Sequence, residues 1–159
     1  MKHMNTYKTY NIHEKTSDVL YKQLDEEFHF DFDPCPLSEV ITVDGLTIDW
    51  GERCFVNPPY GKTVRSWLEK ALYEIEQGHT DLAVFLLPAY TDVKWFHEIV
   101  LPNAKEIRFI KGRLTFGEHK HKAPFGNMIV VFSGVFGLIG IYKVPQEEMP
   151  SYHKKDGVS

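Results

Sequence analysis

Cys54-Phe55-Val56-Asn57-Pro58-Pro59-Tyr60-Gly61 is an apolar run that stops at a proline pair, and reading it decides the fold. Arg53 to Val56 reads as a strand, and the chain then turns into the clearest helix it contains. Between Thr63 and Gln77, the residues Val64, Trp67, Leu68, Ala71, Leu72 and Ile75 make one continuous apolar face. Gly78 ends that helix. Leu82 to Leu87 is wholly apolar, as a parallel strand covered on both faces requires. Strand, helix and strand in this order predict a parallel α/β sheet, whose ligands sit beyond the carboxyl ends of its strands. Asn57 to Tyr60 occupies such an end. Its two prolines carry no N–H, so their carbonyls remain acceptors. Asn57 adds a side-chain acceptor and Tyr60 a flat face. This set suits gripping an amine on a planar group. A plain proline-rich turn is the competing reading, and the strand before and helix after favour a binding loop.

Outward from this unit, Thr16 or Ser17 can cap a first helix through Glu27, with Val19, Leu20 and Leu24 on its buried side. Phe28 to Phe32 alternates aromatic and polar residues and predicts a strand ending at Asp33-Pro34. Val40 to Val43 is a β-branched run before the turn Asp44-Gly45. Val93 to Val100 predicts a second crossover helix, and Glu106 to Ile110 and Asn127 to Phe132 two more strands. The polar segment 112–126 joins them. Phe136 to Val144 adds an edge strand, and the tail from Pro145 is polar.

With 159 residues the chain is expected to form one domain, with a core over about residues 16–144 and frayed polar termini. Hydrophobic content of 43% and aromatic content of 14% exclude a disordered chain. No apolar run reaches membrane-spanning length, and the polar amino terminus has no signal-peptide core, so a cytoplasmic location is expected. Cys35 and Cys54 lack C-x-x-C spacing and are expected to be free thiols. The net charge is −4, yet residues 105–122 hold six basic residues against Glu106 and Glu118, a local balance of +4. One basic face on an acidic body suits transient nucleic-acid contact, and an ordinary charged hairpin is the alternative.

These residues together resemble the short phage-type DNA N6-adenine methyltransferases, a branch of the S-adenosylmethionine-dependent methyltransferases. The likeness spans about Thr16 to Gly134. It rests on Phe32-Asp33-Pro34-Cys35, Asp44-Gly45-Leu46 and Phe55 to Gly61, then on Trp67-Leu68-Glu69-Lys70-Ala71 and Leu86-Leu87-Pro88-Ala89. Trp95-Phe96-His97, Gly112-Arg113-Leu114-Thr115-Phe116 and Ala123-Pro124-Phe125 complete it. Each element alone is weak; their order and spacing make them specific. The resemblance implies an abbreviated Rossmann-like methyltransferase sheet, mostly parallel with an antiparallel closing strand. It implies a site-specific enzyme of phage or prophage origin, acting in a bacterial host cell on DNA. Asn57, Pro58, Pro59 and Tyr60 would bind a flipped adenine. Two acceptors, the Asn57 side chain and the Pro58 carbonyl, would hold the N6 hydrogens and free the nitrogen lone pair for in-line attack.

On the cofactor side, Asp33-Pro34-Cys35-Pro36-Leu37 resembles the start of the family's glycine-rich turn with the glycines missing. Only about 20 residues separate Asp33 from the Arg53 strand, fewer than the roughly 30 of one βαβ unit. The expected S-adenosylmethionine-binding residues are Asp33, Pro34 and Asp44; Asp44 serves equally as the former of an Asp-Gly turn. Arg113, Lys120, Lys122 and Phe125 are the expected DNA-binding residues, with an aromatic closing over the base; a hairpin packing its own phenylalanines is the alternative, favoured for Phe116. Trp50 and Trp67 read as core, and His97 as structural ahead of catalytic. His119-x-His121 lacks a second ligand pair, so no metal is expected. Two other readings stand beside the first. One keeps the fold and methylates RNA adenine or protein glutamine; the other is a non-catalytic DNA-binding protein on a degenerate fold. A second subunit or specificity partner could supply the recognition for which this chain has little room.

Overall fold

In a computed structural model, the structure describes residues 16–36, 44–116, 121–134 and 140–143. Helix α1 (Thr16–Phe28) precedes strand β1 (Arg53–Val56), helix α2 (Val64–Glu76) and strand β2 (Leu82–Pro88). A π-helical turn (Phe96–Val100) then runs into the short helix α3 (Leu101–Asn103). Strand β3 (Glu106–Phe109) leads to a small hairpin of β4 (Thr115–Phe116) and β5 (His121–Lys122). Strands β6 (Asn127–Ser133) and β7 (Gly140–Lys143) follow.

Five strands form one mixed sheet in the order β1-β2-β6-β3-β7. β1 runs parallel to β2 and β3 parallel to β7, while β6 is antiparallel to both of its neighbours. Four strands therefore share one direction, but two of the four pairings are antiparallel, so the sheet is mixed rather than mostly parallel. The antiparallel strand does not close the sheet, however; it lies inside it. β6 is apolar from Met128 to Phe132 and buried there, so it gains more from two covering neighbours than from an edge. The edge falls to β7, within the expected Phe136–Val144 segment.

The predicted strand over 28–32 shrinks to one parallel bridge, Phe32 to Cys54. α1 continues through Phe28, and His29 leaves it with a left-handed φ of 53°. Asp25 ties down the exit, its carbonyl accepting from His29 N–H and its carboxylate from Phe30 N–H. Phe30 then packs on Tyr21 and Phe55 rather than extending a ladder. On α1, Leu20 and Leu24 are buried as expected, but Val19 is 42% exposed because it lies off their face. Val40–Val43, Lys120 and the tail from Pro145 lie outside the described residues.

The helix predicted from Thr63 to Gln77 forms with those two residues as its caps, and Gly78 follows at φ 78°. Its buried face includes one surprise, Glu74, with no exposed surface. Burial alone would raise this carboxyl. The Lys70 ammonium, the Trp50 N–H and His79 together hold it below its ordinary value. Trp50 and Trp67 are core, their rings 6.3 Å apart. Arg108 departs from the expected basic face. It is 7% exposed, bonded to both Glu27 and Glu106 and laid over the Phe28 ring, so its charge joins α1 to the sheet.

Candidate active site

Register places the carboxyl ends of β1 and β2, the Phe32 bridge and the start of β6 at one sheet edge, because Pro88 pairs with Asn127 and Phe32 with Cys54. β3 ends at the same edge, with Phe109 opposite Met128. Asn57 to Tyr60, Asp33-Pro34 and the ends of the β3–β6 connection, Ile110 and Gly126, therefore lie toward this edge.

Asn57 follows β1 directly and is 4% exposed, and its Nδ2 is buried with no hydrogen-bond partner. A buried amide end left unpaired costs about 1–3 kcal/mol, so it marks a place where a ligand is expected to bond. Rotation of the amide by half a turn presents its oxygen at that same place. Among the described residues none donates to the Pro58 carbonyl. Pro59 is exposed, and its carbonyl accepts from Thr63 Oγ1 at 3.4 Å.

Tyr60 is held more firmly than its sequence suggests. Its hydroxyl donates to the Leu86 carbonyl at 3.1 Å and accepts from Asn127 Nδ2 at 3.3 Å. Asn127 Nδ2 also reaches the Leu87 carbonyl at 3.3 Å, while its Oδ1 is buried without a partner. Burial pushes the Tyr60 hydroxyl well above the ordinary tyrosine range, against the opposing Asn127 bond, so it stays protonated. The Tyr60 ring meets the edge of Phe125 at 5.6 Å, and Phe125 meets Tyr90 at 5.7 Å. Phe125, expected to close over a base, is thus buried as the middle of an aromatic row. Asn127 and Tyr90 were missed by sequence reasoning. A polar residue at the head of an apolar strand was the available signal for Asn127; an aromatic in the Pro88–Asp92 exit loop was the signal for Tyr90.

A cavity of about 390 Å³ opens beside the loop. Gly61, Lys62 and Val64 line one side, with Pro88, Tyr90 and Trp95 among those opposite.

Asp33 and Asp44, far apart in a strand-by-strand reading, are neighbours. A Cβ on Gly45 would run into the Pro34 carbonyl oxygen, so only glycine lets these two turns touch. The Gly45 carbonyl in turn accepts from Trp50 Nε1 at 2.8 Å. Asp33 Oδ1 accepts from Cys35 N–H, and burial pushes this carboxyl up to about 6 against that bond. Among the described residues no cation pairs with it. A half-buried carboxylate without a counter-ion fits the positive end of a sulfonium amino acid. Asp44 is exposed and its Oδ1 accepts from Leu46 N–H, so it does form the turn. Burial and the charges of both aspartates push the Cys35 thiol up to about 12. Cys35 and Cys54 are free.

On the basic segment, Arg113 is exposed but its Nη1 donates to the Ala123 carbonyl at 3.1 Å, bracing the hairpin. Lys122 is exposed on β5. His97 is structural, its Nε2 lying 2.6 Å from the Thr91 carbonyl. Asp49, Glu74 and His79 bring ligand atoms within 4.8 Å of one another, but Lys70 already neutralises Glu74 there. Among the described residues no helix is long and apolar enough to cross a membrane.

A family model described as DNA N-6-adenine-methyltransferase (Dam) matches residues 4–136. The chain belongs to this family. No curated protein matches it. The match takes in every expected site residue.

Proposed function

We propose that this protein transfers a methyl group from S-adenosylmethionine to the N6 amine of a target adenine in DNA, as a single domain on a trimmed Rossmann-like sheet. The observation that carries the reading is the buried, unpartnered amide of Asn57 beside the Pro58 carbonyl, at the carboxyl end of β1. Adenine N6 is a poor nucleophile because its lone pair is delocalised into the ring. With one N6 hydrogen on Asn57 Oδ1 and the other on the Pro58 carbonyl, the nitrogen becomes pyramidal and its lone pair localises. The Pro58 carbonyl stands ready before the base arrives and the Asn57 amide presents its oxygen by a half-turn in place, so the gain comes from positioning and electrostatics. Tyr60, pinned by Leu86 and Asn127, gives the base a platform that does not have to be ordered on binding. The N6 proton released after transfer goes to water.

Asp33 and Asp44, with Pro34 between the turns, would hold the cofactor, which supplies an electrophilic sulfonium methyl. Asp33 would face its positive end, and the free oxygen of Asp44 its hydroxyls. Arg113, Lys120 and Lys122 would meet phosphates, and a phage or prophage origin in a bacterial cytoplasm accords with the family resemblance of these residues.

The test supplies labelled S-adenosylmethionine and unmethylated DNA to the protein and to Asn57→Ala. Label should appear as N6-methyladenine, with a loss of about 10²–10³-fold in the variant while cofactor affinity is kept. Label reaching RNA or protein in place of DNA would establish the other acceptors, and a folded protein that binds no cofactor would end the enzymatic reading.

A further inference from the structure

We infer that the cavity beside the N-P-P-Y loop is a second nucleotide subsite, which takes the nucleotide adjoining the target adenine in the same strand. The inference rests on the DNA-methyltransferase reading for its ligand and on the cavity's own chemistry for its place. Tyr90 and Trp95 offer aromatic faces, Pro88 an apolar one, and Lys62 one cationic group. Aromatic faces stack any base, and a lysine serves as a point charge for phosphate. Among the described residues no acidic one lines the cavity. It therefore lacks a group for cofactor hydroxyls, and Lys62 would repel a sulfonium. The cofactor candidates Asp33 and Asp44 belong to the Phe32 side of β1, whereas Tyr90 leaves β2 on the other side.

Position points the same way. Tyr60 and Lys62 are two residues apart, a reach of at most about 7 Å, which a nucleotide strand covers in one step. Gly61 between them has φ 130°, and nothing lies within 4 Å of where its Cβ would be. The backbone there is bare toward the cavity, and a side chain would be strained. Both sides are braced. Arg65 Nη1 meets Glu98 Oε2 at 2.5 Å across α2 and the π-helical turn, and His97 holds the Thr91 carbonyl in the exit loop. The π-helical turn begins immediately after Trp95, and such turns recur at functional sites. Among the described residues Lys62 makes no ion pair.

The probe is a single-stranded oligothymidine carrying one adenine, with 2-aminopurine placed immediately 5′ or immediately 3′ of it. Saturating wild-type protein should quench the fluorescence at one of the two positions, and Trp95→Ala should remove the quench. Lys62→Ala, an exposed change that spares folding, should weaken oligonucleotide binding about tenfold and lower the salt slope by about 0.7. Cofactor affinity should not move. Quenching at neither position, or a Lys62→Ala variant that loses cofactor affinity with oligonucleotide binding intact, overturns the subsite. The quench requires no methyl transfer, so its failure is separable from failure of the wild-type protein to methylate DNA.

Discussion

The loop Asn57–Tyr60 leaves a strand paired on both flanks, by β2 and by the Phe32 bridge, and its tyrosine is bonded into the strand beyond. Asp33 and Asp44, by contrast, sit on turns held by their own carboxylates and by one glycine contact. The proposed acceptor side is thus organised by sheet geometry and the proposed donor side by local side-chain bonds. Sheet-held groups lose little entropy when a substrate arrives; turn-held groups adjust and can be tuned by charge. This difference accounts for a family member in which the acceptor motif is intact while the glycine-rich turn is replaced by prolines. A single half-buried carboxylate can supply attraction where backbone N–H groups are missing.

The contrast can be broken most forcefully at Asn57, where alanine should cut transfer by about 10²–10³-fold and leave cofactor binding alone. Gly45→Ala should come next, costing about 1–3 kcal/mol of stability because a backbone oxygen cannot move aside. Its cofactor affinity should fall further than its DNA affinity; equal losses would show that the two sides are not separable.

Asp33→Asn should weaken S-adenosylmethionine binding about tenfold, the equivalent of about 1.4 kcal/mol. Its pH dependence gives a signed test. The folded carboxyl is raised, so the stability it contributes is complete below the ordinary 3.8 and is lost as pH rises through about 6. Cofactor affinity should do the opposite and rise through about 6 as Asp33 ionises. Calorimetric titration from about pH 5 to 7 that finds flat affinity, or the same slope in Asp33→Asn, removes Asp33 from the cofactor site.

A smaller effect, on the order of 1 kcal/mol, is expected from Asn127→Ala through the Tyr60 hydroxyl. If Asn127 acts by holding that hydroxyl, its effect on the single-turnover rate should vanish in a Tyr60→Phe background. An undiminished effect in the double variant would assign Asn127 to packing around Leu87 instead. The least is expected of Arg113→Ala, which should lower the salt slope of DNA binding by about 1. An unchanged slope would leave Arg113 as a brace for the Ala123 carbonyl alone.

The α/β character, the long helix and the central apolar strand were legible in the sequence because each is a periodicity written in consecutive residues. The N-P-P-Y loop was legible because its four residues are adjacent in the chain. Phe28–Phe32 misled because alternation of aromatic and polar residues also describes a helix exit whose rings pack sideways. Arg108 misled because a charge count says nothing about Glu27 lying across the sheet. The place of β6 escaped because strand order is a property of pairing, not of any one strand.

By itself, then, the sequence determined the strand–helix–strand unit, the loop that follows its first strand and the family to which those residues point. Tertiary structure alone decided that the Asp33 and Asp44 turns touch, that Asn127 pins Tyr60, and that Phe125 is buried between Tyr60 and Tyr90. It also decided that Lys62 and Tyr90 share a cavity. Each of these is a contact between residues well separated in the chain, fixed by the burial of apolar faces and by the pairing of polar groups those faces leave behind.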